Sequence, residues 1–357
     1  MSERREAEPK VLLHSTEPSR PGSAARVHLT AIADGLAREG FQVGRNWADP
    51  AHSIARRLVS NTLDLRRKLA DADVLYLRWH VVDVIPLWIA RRRGVPYVLE
   101  VNGPVDDIIN AHPVLRSFRP VLSRVARRQF KGASRIVTVS RGLAEWVGEQ
   151  GGDHARPETV QNGADQGSQV LCRPADDPPY VVYFGRLDER QGLRFLLEAR
   201  RSAEWPAHVG LVIIGDGDLR PEVVAAEEAG LLTYHPSMAQ DQTHAIVAAA
   251  CASVSVQSPD FPRNNLMGLP FKTVESLMLG VPVIGTDLSD QGEVLEQFPP
   301  SAVVEYGDIA RFTALVSELA GTSTAAREEL ARKAAGSMTW ERAARQTAAV
   351  VRDALRA

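Results

Sequence analysis

Cysteine is almost absent from this sequence. Cys172 and Cys251 are the only two in 357 residues, and neither sits in a CxxC pair. They supply neither a disulfide framework nor a Cys-based zinc site, and such sparse use suits a reducing compartment. Lysine is nearly as rare: Lys10, Lys68, Lys131, Lys272 and Lys333 are the lysines among 42 Lys+Arg, so a lysine inside a motif stands out. There is no charge of one sign to speak of. Lys+Arg is 42 against 44 Asp+Glu, a formal net charge of −2, which gives no electrostatic case for a nucleic-acid binder. Long apolar runs are missing too. The longest, residues 81–90, is interrupted by Asp83 and Pro86, ends in Arg91-Arg92-Arg93, and is too short to span a bilayer. The apolar stretch after the charged first nine residues is too brief for a secretory h-region. The expectation is a cytoplasmic protein, touching a membrane at most peripherally at its inner face.

What is present reads as two α/β domains. Hydrophobic residues make up 44% and charged residues 24%, enough for a sizeable core. Short apolar runs alternate with amphipathic stretches: KVLLH (10–14), DVLYL (73–77), PYVLEV (96–101), SRIVTVS (134–140) and ETVQN (158–162). Between the first two, Leu29, Ile32, Ala33 and Leu36 fall on one face of a helix that Gly40 stops. Such alternation implies βαβ units and parallel sheets. The rhythm lapses, then restarts with YVVYF (180–184), LVIIG (211–215), SVSV (253–256), PVIGT (282–286) and SAVVE (301–305). The expected organisation is a disordered tail over 1–9, a first Rossmann-like domain over 10–165, a linker over 166–179, a second over 180–338, and a last helix over 339–357. Two doubly wound domains are expected to face a central cleft, with ligands beyond the carboxyl ends of the strands.

The loops after the strands carry the candidate chemistry. Gly22 and Ser23 precede a helix N-terminus, where unpaired N–H groups suit an anion; a plain turn with Ser23 as N-cap fits equally. Gly185 permits a tight turn after YVVYF, and Arg186 follows with a fork of donors suited to a diphosphate. Gly215 and Gly217 in LVIIGDGDLR allow close backbone approach, although the third glycine of a dinucleotide fingerprint is lacking. The richest stretch is GLPFKTVESLMLGVPVIGTD (268–287). Lys272 and Glu275 lie three apart near one face of a helix start. Lys272 and the amides can meet phosphate, and Glu275 can accept from a ribose diol. An i,i+3 ion pair on a solvated face is the plainer reading.

Taken in order, FGRLxxxxG, IIGDGxLR and GLPxKxxExxxxGxPVIxTD resemble glycosyltransferase family 4, retaining enzymes of GT-B fold. RPGSAARVHLTAIADGLAREG, TVSRGLAEWV, VQNGAD and TWERAA extend the resemblance over nearly the whole chain. It implies transfer of a sugar from a nucleotide-diphosphate sugar, a UDP-sugar by preference, to an acceptor hydroxyl with retention, and without metal or other cofactor. Arg186, Lys272 and Glu275 would carry the chemistry, the first two on the diphosphate and Glu275 on the ribose. Gly22, Ser23, Gly185, Gly215, Met267, Gly268, Leu269 and Phe271 would line the donor, with Tyr234 in the base-contacting loop. Arg26, Glu100 and Asn102 would face the acceptor or the sugar. Met267 stands where E-x7-E has its first glutamate, and Gln191 where GRLxxxKG has its lysine. Arg190 and Lys272 are placed to compensate, and a subgroup with PxKxxE in place of the full motif matches this chain. Met267 and Gln191 keep a second reading in view, a non-catalytic sugar-nucleotide-binding subunit; a GT-B-like epimerase is a third, although the acidic and histidine residues it needs are not evident in the sequence.

One segment stands apart from this scheme. From 113 to 135, Arg116, Arg119, Arg124, Arg127, Arg128, Lys131 and Arg135 interleave with apolar residues. It reads either as a basic amphipathic stretch lying on anionic lipid, or as a solvated helix face with its apolar side in the core.

Overall fold

The computed structural model describes residues 8–17, 24–47, 54–165 and 178–357. They fall into two compact units. One gathers the chain up to Asn162 with Leu266–Gly268 and Trp340–Ala357; the other holds Gly163–Asn265 and Leu269–Thr339.

The first unit is built on a six-stranded parallel sheet. Its elements run β1 (Lys10–Ser15), α1 (Ala24–Arg38), β2 (Gln42–Trp47), α2 (Ile54–Lys68), β3 (Val74–Arg78), α3 (Val84–Arg92), β4 (Tyr97–Val101), α4 (Asp106–Ala111), α5 (Arg119–Phe130), β5 (Arg135–Thr138), α6 (Arg141–Val147) and β6 (Glu158–Thr159). The strand order is β2-β1-β3-β4-β5-β6. Right-handed crossovers then fix the helices. The step from β1 to β2 runs one way along the sheet and puts α1 on one face; every later step runs the other way and puts α2, α3, α5 and α6 on the opposite face. Helices on both faces explain why β1, β3 and β4 read as continuous apolar runs. Leu12, Leu75, Leu77, Leu99 and Ile136 are buried in this core, with Trp79 4.9 Å from Phe130 and Phe130 5.7 Å from Trp146 between ring centroids.

β2 and α2 are absent from the sequence-based reading. β2 is an edge strand in which Asn46 is the buried residue, so QVGRNW shows no apolar run. The basic region of 113–135 also differs from one long helix. It is a 3-10 turn over Pro113–Phe118 followed by α5, with Pro113 and Pro120 each at the first turn of its segment, where a missing N–H costs nothing.

The second unit repeats the plan with β7 (Tyr180–Arg186), α7 (Leu193–Arg201), β8 (Gly210–Asp216), α8 (Arg220–Glu228), β9 (Thr233–His235), α9 (Gln240–Ala249), β10 (Ala252–Ser255), α10 (Phe271–Met278), β11 (Val283–Thr286), α11 (Gln291–Glu296), β12 (Ala302–Val304), α12 (Ile309–Ala320) and α13 (Thr324–Ser337). Its order, β12-β11-β10-β7-β8-β9, reverses direction between β7 and β10. In such sheets the crevice beyond the carboxyl ends at the reversal is where ligands bind. The chain ends in α14 (Trp340–Arg356), which belongs to the first unit and packs on α1. Gly35 makes that approach possible: a Cβ there would stand 2.2 Å from the Cβ of Ala344.

Candidate functional site

At the reversal of the second sheet, β7 and β8 end in register, Gly185 opposite Gly215 and Arg186 opposite Asp216. Both glycines have positive φ, 128° and 149°, which a side chain resists. A Cβ on Gly215 would fall 1.8 Å from the Gly185 carbonyl oxygen, so this glycine serves the close approach of two strand ends. Gly185 is different. It is exposed, and a Cβ there would lie 3.6 Å from the Lys272 Nζ. The place that a side chain would fill is therefore within reach of an ammonium.

Lys272 sits in the first turn of α10, which follows β10 across the same reversal. Its Nζ is buried without a hydrogen-bond partner. The face of the Tyr183 ring, 4.0 Å away at its centroid, gives the charge partial compensation. Burial pushes the ammonium down from its usual 10.5 to about 7; the charge of Asp188 opposes the shift and that of Arg190 adds to it. A buried charged donor left unpaired is costly, and proteins seldom retain one without a use. Tyr183 also ties the turn together: its hydroxyl donates to the Arg186 carbonyl, and burial raises its own titration so that it stays a donor.

Asp188 is the hub of this cluster. It caps the turn at Gln191 N, 2.9 Å away, and pairs with Arg186 at 3.2 Å and Arg190 at 3.6 Å. Arg186 reaches Asp218 as well, at 3.5 Å, and its side chain is 61% exposed. Two carboxylates thus occupy the Arg186 fork. Tyr234, in β9, donates its hydroxyl to the Gly215 carbonyl at 3.1 Å. Glu275 lies one turn beyond Lys272. The ion pair of the plainer reading is not formed between these two; Glu275 instead accepts from Gln240 at 3.0 Å and faces His244 at 3.7 Å. Leu269 is buried, and Met267 and Phe271 are half-buried. Gly268 is half-buried. It belongs to the first unit, where a Cβ would meet the Val139 carbonyl oxygen at 2.3 Å, so its smallness serves chain packing.

In the first unit the sheet reverses between β1 and β3. Arg78, at the end of β3, pairs with Glu17 after β1 at 2.9 Å and with Glu100 in β4 at 3.0 Å. Glu100 was expected to face a ligand, and here the structure corrects the sequence. Its side chain is wholly buried, paired also with His28 at 2.9 Å, and accepts from Tyr76 at 2.6 Å and from Asn102. Burial alone would raise the carboxyl; His28, Arg78 and Tyr76 together hold it well below the usual carboxylate range. With these partners on both oxygens it is a buried anchor rather than a sugar contact. Asn102 is half-buried beside it. Arg26 stacks its guanidinium 4.4 Å over Trp47. Gly22 and Ser23 lie outside the described residues.

Among the described residues no group of three or more His, Cys, Asp or Glu is arranged to hold a metal ion, and no helix is long and apolar enough to cross a membrane. The residues that sequence reasoning missed are Tyr183, Asp188 and Asp218. Asp188 stands two residues after Arg186, and Asp218 one after Gly217; acids set beside a candidate arginine and a candidate glycine turn were the available signal.

Two family models match side by side: a glycosyl transferase 4-like domain over residues 3–163, and glycosyl transferases group 1 over 178–322. Among curated proteins none matches by sequence. Solved structures share the fold at low identity. HepE of Anabaena in complex with UDP superposes with a TM-score of 0.72 at 15% identity, covering 96% of this chain and 99% of that one. Sucrose-phosphate synthase from Thermosynechococcus elongatus gives 0.73 at 14%, covering 97% and 98%. The lipopolysaccharide outer core galactosyltransferase WaaB, in its apo form, gives 0.67 at 12%, covering 96% and 99%. With both halves matched to glycosyltransferase models, two six-stranded parallel sheets, and the fold shared with solved glycosyltransferases, this chain belongs to the glycosyltransferases of GT-B fold.

Proposed function

We propose that this chain transfers a sugar from a nucleotide-diphosphate sugar, with UDP as the nucleotide, to an acceptor hydroxyl, with retention of anomeric configuration and without metal or other cofactor. One observation carries the reading: the ammonium of Lys272, buried and unpartnered beneath exposed Gly185, at the point of the second sheet where ligands bind. Breaking the anomeric C–O bond builds negative charge on the leaving diphosphate. In this reading Lys272 and Arg186 meet that charge, with Arg190 close behind, as fixed cations that need no reorganisation during the reaction. Asp188 and Asp218 hold Arg186 until the diphosphate takes their place. Gly185 and Gly215 let the diphosphate lie against backbone, Glu275 accepts from the ribose, and Tyr234 of β9 meets the base. Leu269, Phe271, Met267, Gly22 and Ser23 are assigned to the donor, and Arg26 and Asn102 to the acceptor or the sugar. UDP is favoured because HepE, of the same fold, has been solved with UDP-glucose.

The test is calorimetric titration of UDP into the wild-type chain and the variants Lys272→Met and Arg186→Ala, followed by transfer assays with UDP-sugars. Each variant should lose about 10²-fold or more in turnover, the scale of removing one charge-stabilising donor. NMR of the product should show the donor's anomeric configuration. Wild-type affinity for UDP in both variants would place the donor elsewhere. Met267 favours a second reading, a sugar-nucleotide binder without catalysis; UDP binding with neither transfer nor donor hydrolysis would establish it.

A further inference from the structure

The large hydrophobic side chains left exposed in the described residues are not scattered. They are Leu63, Val82, Val84, Ile85, Trp88, Val114, Phe118 and Val121. All belong to α2, to α3 and the turn before it, and to the 3-10 turn and α5. These elements share one face of the first sheet, and α3 packs against both α2 and α5. Val84, Ile85 and Trp88 lie on one side of α3; Val114, Phe118 and Val121 follow at spacings of four and three. Trp88 is 57% exposed, Phe118 56% and Val114 82%. Exposed apolar side chains gathered on adjoining elements in this way mark a place where something binds.

The charge around it says what. Between Asp107 and Glu145 the chain carries eight basic residues and no acidic one, within a protein whose net charge is −2. Arg91, Arg92 and Arg93 extend the basic rim along the end of α3, with the Arg92 guanidinium 5.1 Å from the Trp88 ring centroid. Arg116, Arg124 and Arg128 are exposed, and Arg119 pairs with Asp106 at 3.0 Å. Trp and Phe flanked by arginines match the apolar-to-headgroup boundary of a bilayer, where rings sit at the interface and long basic side chains reach the phosphates. Pairing with a second copy would bring two strongly basic faces together, which like charges oppose.

We propose that the α2–α3–α5 face of the first unit docks on an anionic lipid bilayer, with Trp88, Val114 and Phe118 entering the interface and the surrounding arginines held by lipid phosphates. This deepens the expectation drawn from 113–135. The wedge includes α3, and Val125 and Phe130, apolar residues of that segment, are turned inward instead.

The test is flotation of the full chain with vesicles of equal parts phosphatidylcholine and phosphatidylglycerol, and with phosphatidylcholine alone, at low and high salt. The chain should float with the mixed vesicles, be released by salt, and stay behind with phosphatidylcholine alone. Arg116→Ser/Arg124→Ser/Arg128→Ser should weaken partitioning on the order of a hundredfold, at about fivefold per basic residue. Trp88→Ser/Val114→Ser/Phe118→Ser should abolish flotation. All six side chains are exposed, so an unchanged thermal midpoint certifies the fold. Equal retention on both vesicle types, or none on either, overturns the proposal; so does binding that neither variant reduces. A dimer in solution that the apolar variant dissociates, with no flotation, would assign the face to a second copy instead. No nucleotide or acceptor enters this measurement, so its failure leaves the transferase reading untouched.

Discussion

Replacing Lys272 by Met should make the unliganded chain more stable and its hold on UDP weaker. The two effects have one origin. The ammonium is buried with no hydrogen-bond partner, so the folded state holds its proton less firmly than the unfolded state does. The fall from 10.5 to about 7 caps the penalty near 5 kcal/mol, at about 1.4 kcal/mol per pH unit. The Tyr183 ring returns part of this, and replacements of buried ions by apolar groups of similar size gain about 1–4 kcal/mol. The sign with pH follows. Between about 7 and 10.5 the unfolded chain carries the extra proton, so wild-type stability climbs with pH through that window. The gain from Met is therefore full at pH 7 and below, and shrinks to nothing as pH approaches 10.5. Diphosphate works in the opposite direction: an anion beside Nζ restores the proton, so UDP binding takes one up. Wild-type affinity should fall above pH 7 by up to about tenfold per pH unit. In Lys272→Met that slope should vanish, with affinity at pH 7 about 10–100-fold lower, the worth of a charge-assisted hydrogen bond. Thermal unfolding and UDP calorimetry over pH 6–10 measure both. A variant less stable than wild type, binding UDP with the same pH slope, would show that the ammonium is a structural cation and refute the reasoning.

Three further outcomes are expected. Gly185→Ala places a methyl 3.6 Å from the Lys272 Nζ at a backbone φ of 128°, so it should cost about 1–3 kcal/mol by chemical denaturation and abolish detectable UDP binding; a strained but UDP-competent variant would show that the space above Gly185 is not used. Glu100→Gln leaves His28 and Arg78 without their buried counter-charge and should cost about 3–5 kcal/mol in urea unfolding; because its partners hold that carboxyl low, the wild-type contribution should be full above about pH 4.5 and be lost progressively as pH falls below it. A stable variant with altered acceptor KM would restore Glu100 as a sugar contact. Asp83 is the reverse case. Burial raises its carboxyl from 3.8 to about 7, against the hydrogen bonds from Thr16 and His80 N. Its charge is thus a burden that grows as pH rises from 3.8 to about 7. Asp83→Asn should raise the thermal midpoint at pH 8 and lose that advantage toward pH 4; an equal effect at both pH values would show that the carboxyl is not what titrates.

How far these residues could be read beforehand depends on whether their partners are near in the chain. Gly185, Gly215 and Lys272 were legible because each stands in a strand–turn–helix passage whose apolar run, glycine and helix start are consecutive. The strands themselves were legible wherever helices cover both faces, and illegible at the edges, where QVGRNW and TYH bury little and show no period. Glu100 misled because VLEVNGP places a carboxylate at a strand end, while His28 and Arg78, which bury and neutralise it, lie 72 and 22 positions away. Tyr183 was invisible for the same reason: within YVVYF it reads as one more core residue, and only Lys272, reaching it from α10, turns its ring into the floor beneath an ammonium. Gly268 shows the limit from the other side. A glycine announces that something comes close, not what; Gly185 leaves room beside a cation, Gly215 for the neighbouring strand end, and Gly268 for the Val139 carbonyl. The distinction rests on what stands opposite the missing Cβ. That is why the case for a diphosphate here depends on the orphaned charge below Gly185 more than on any glycine motif.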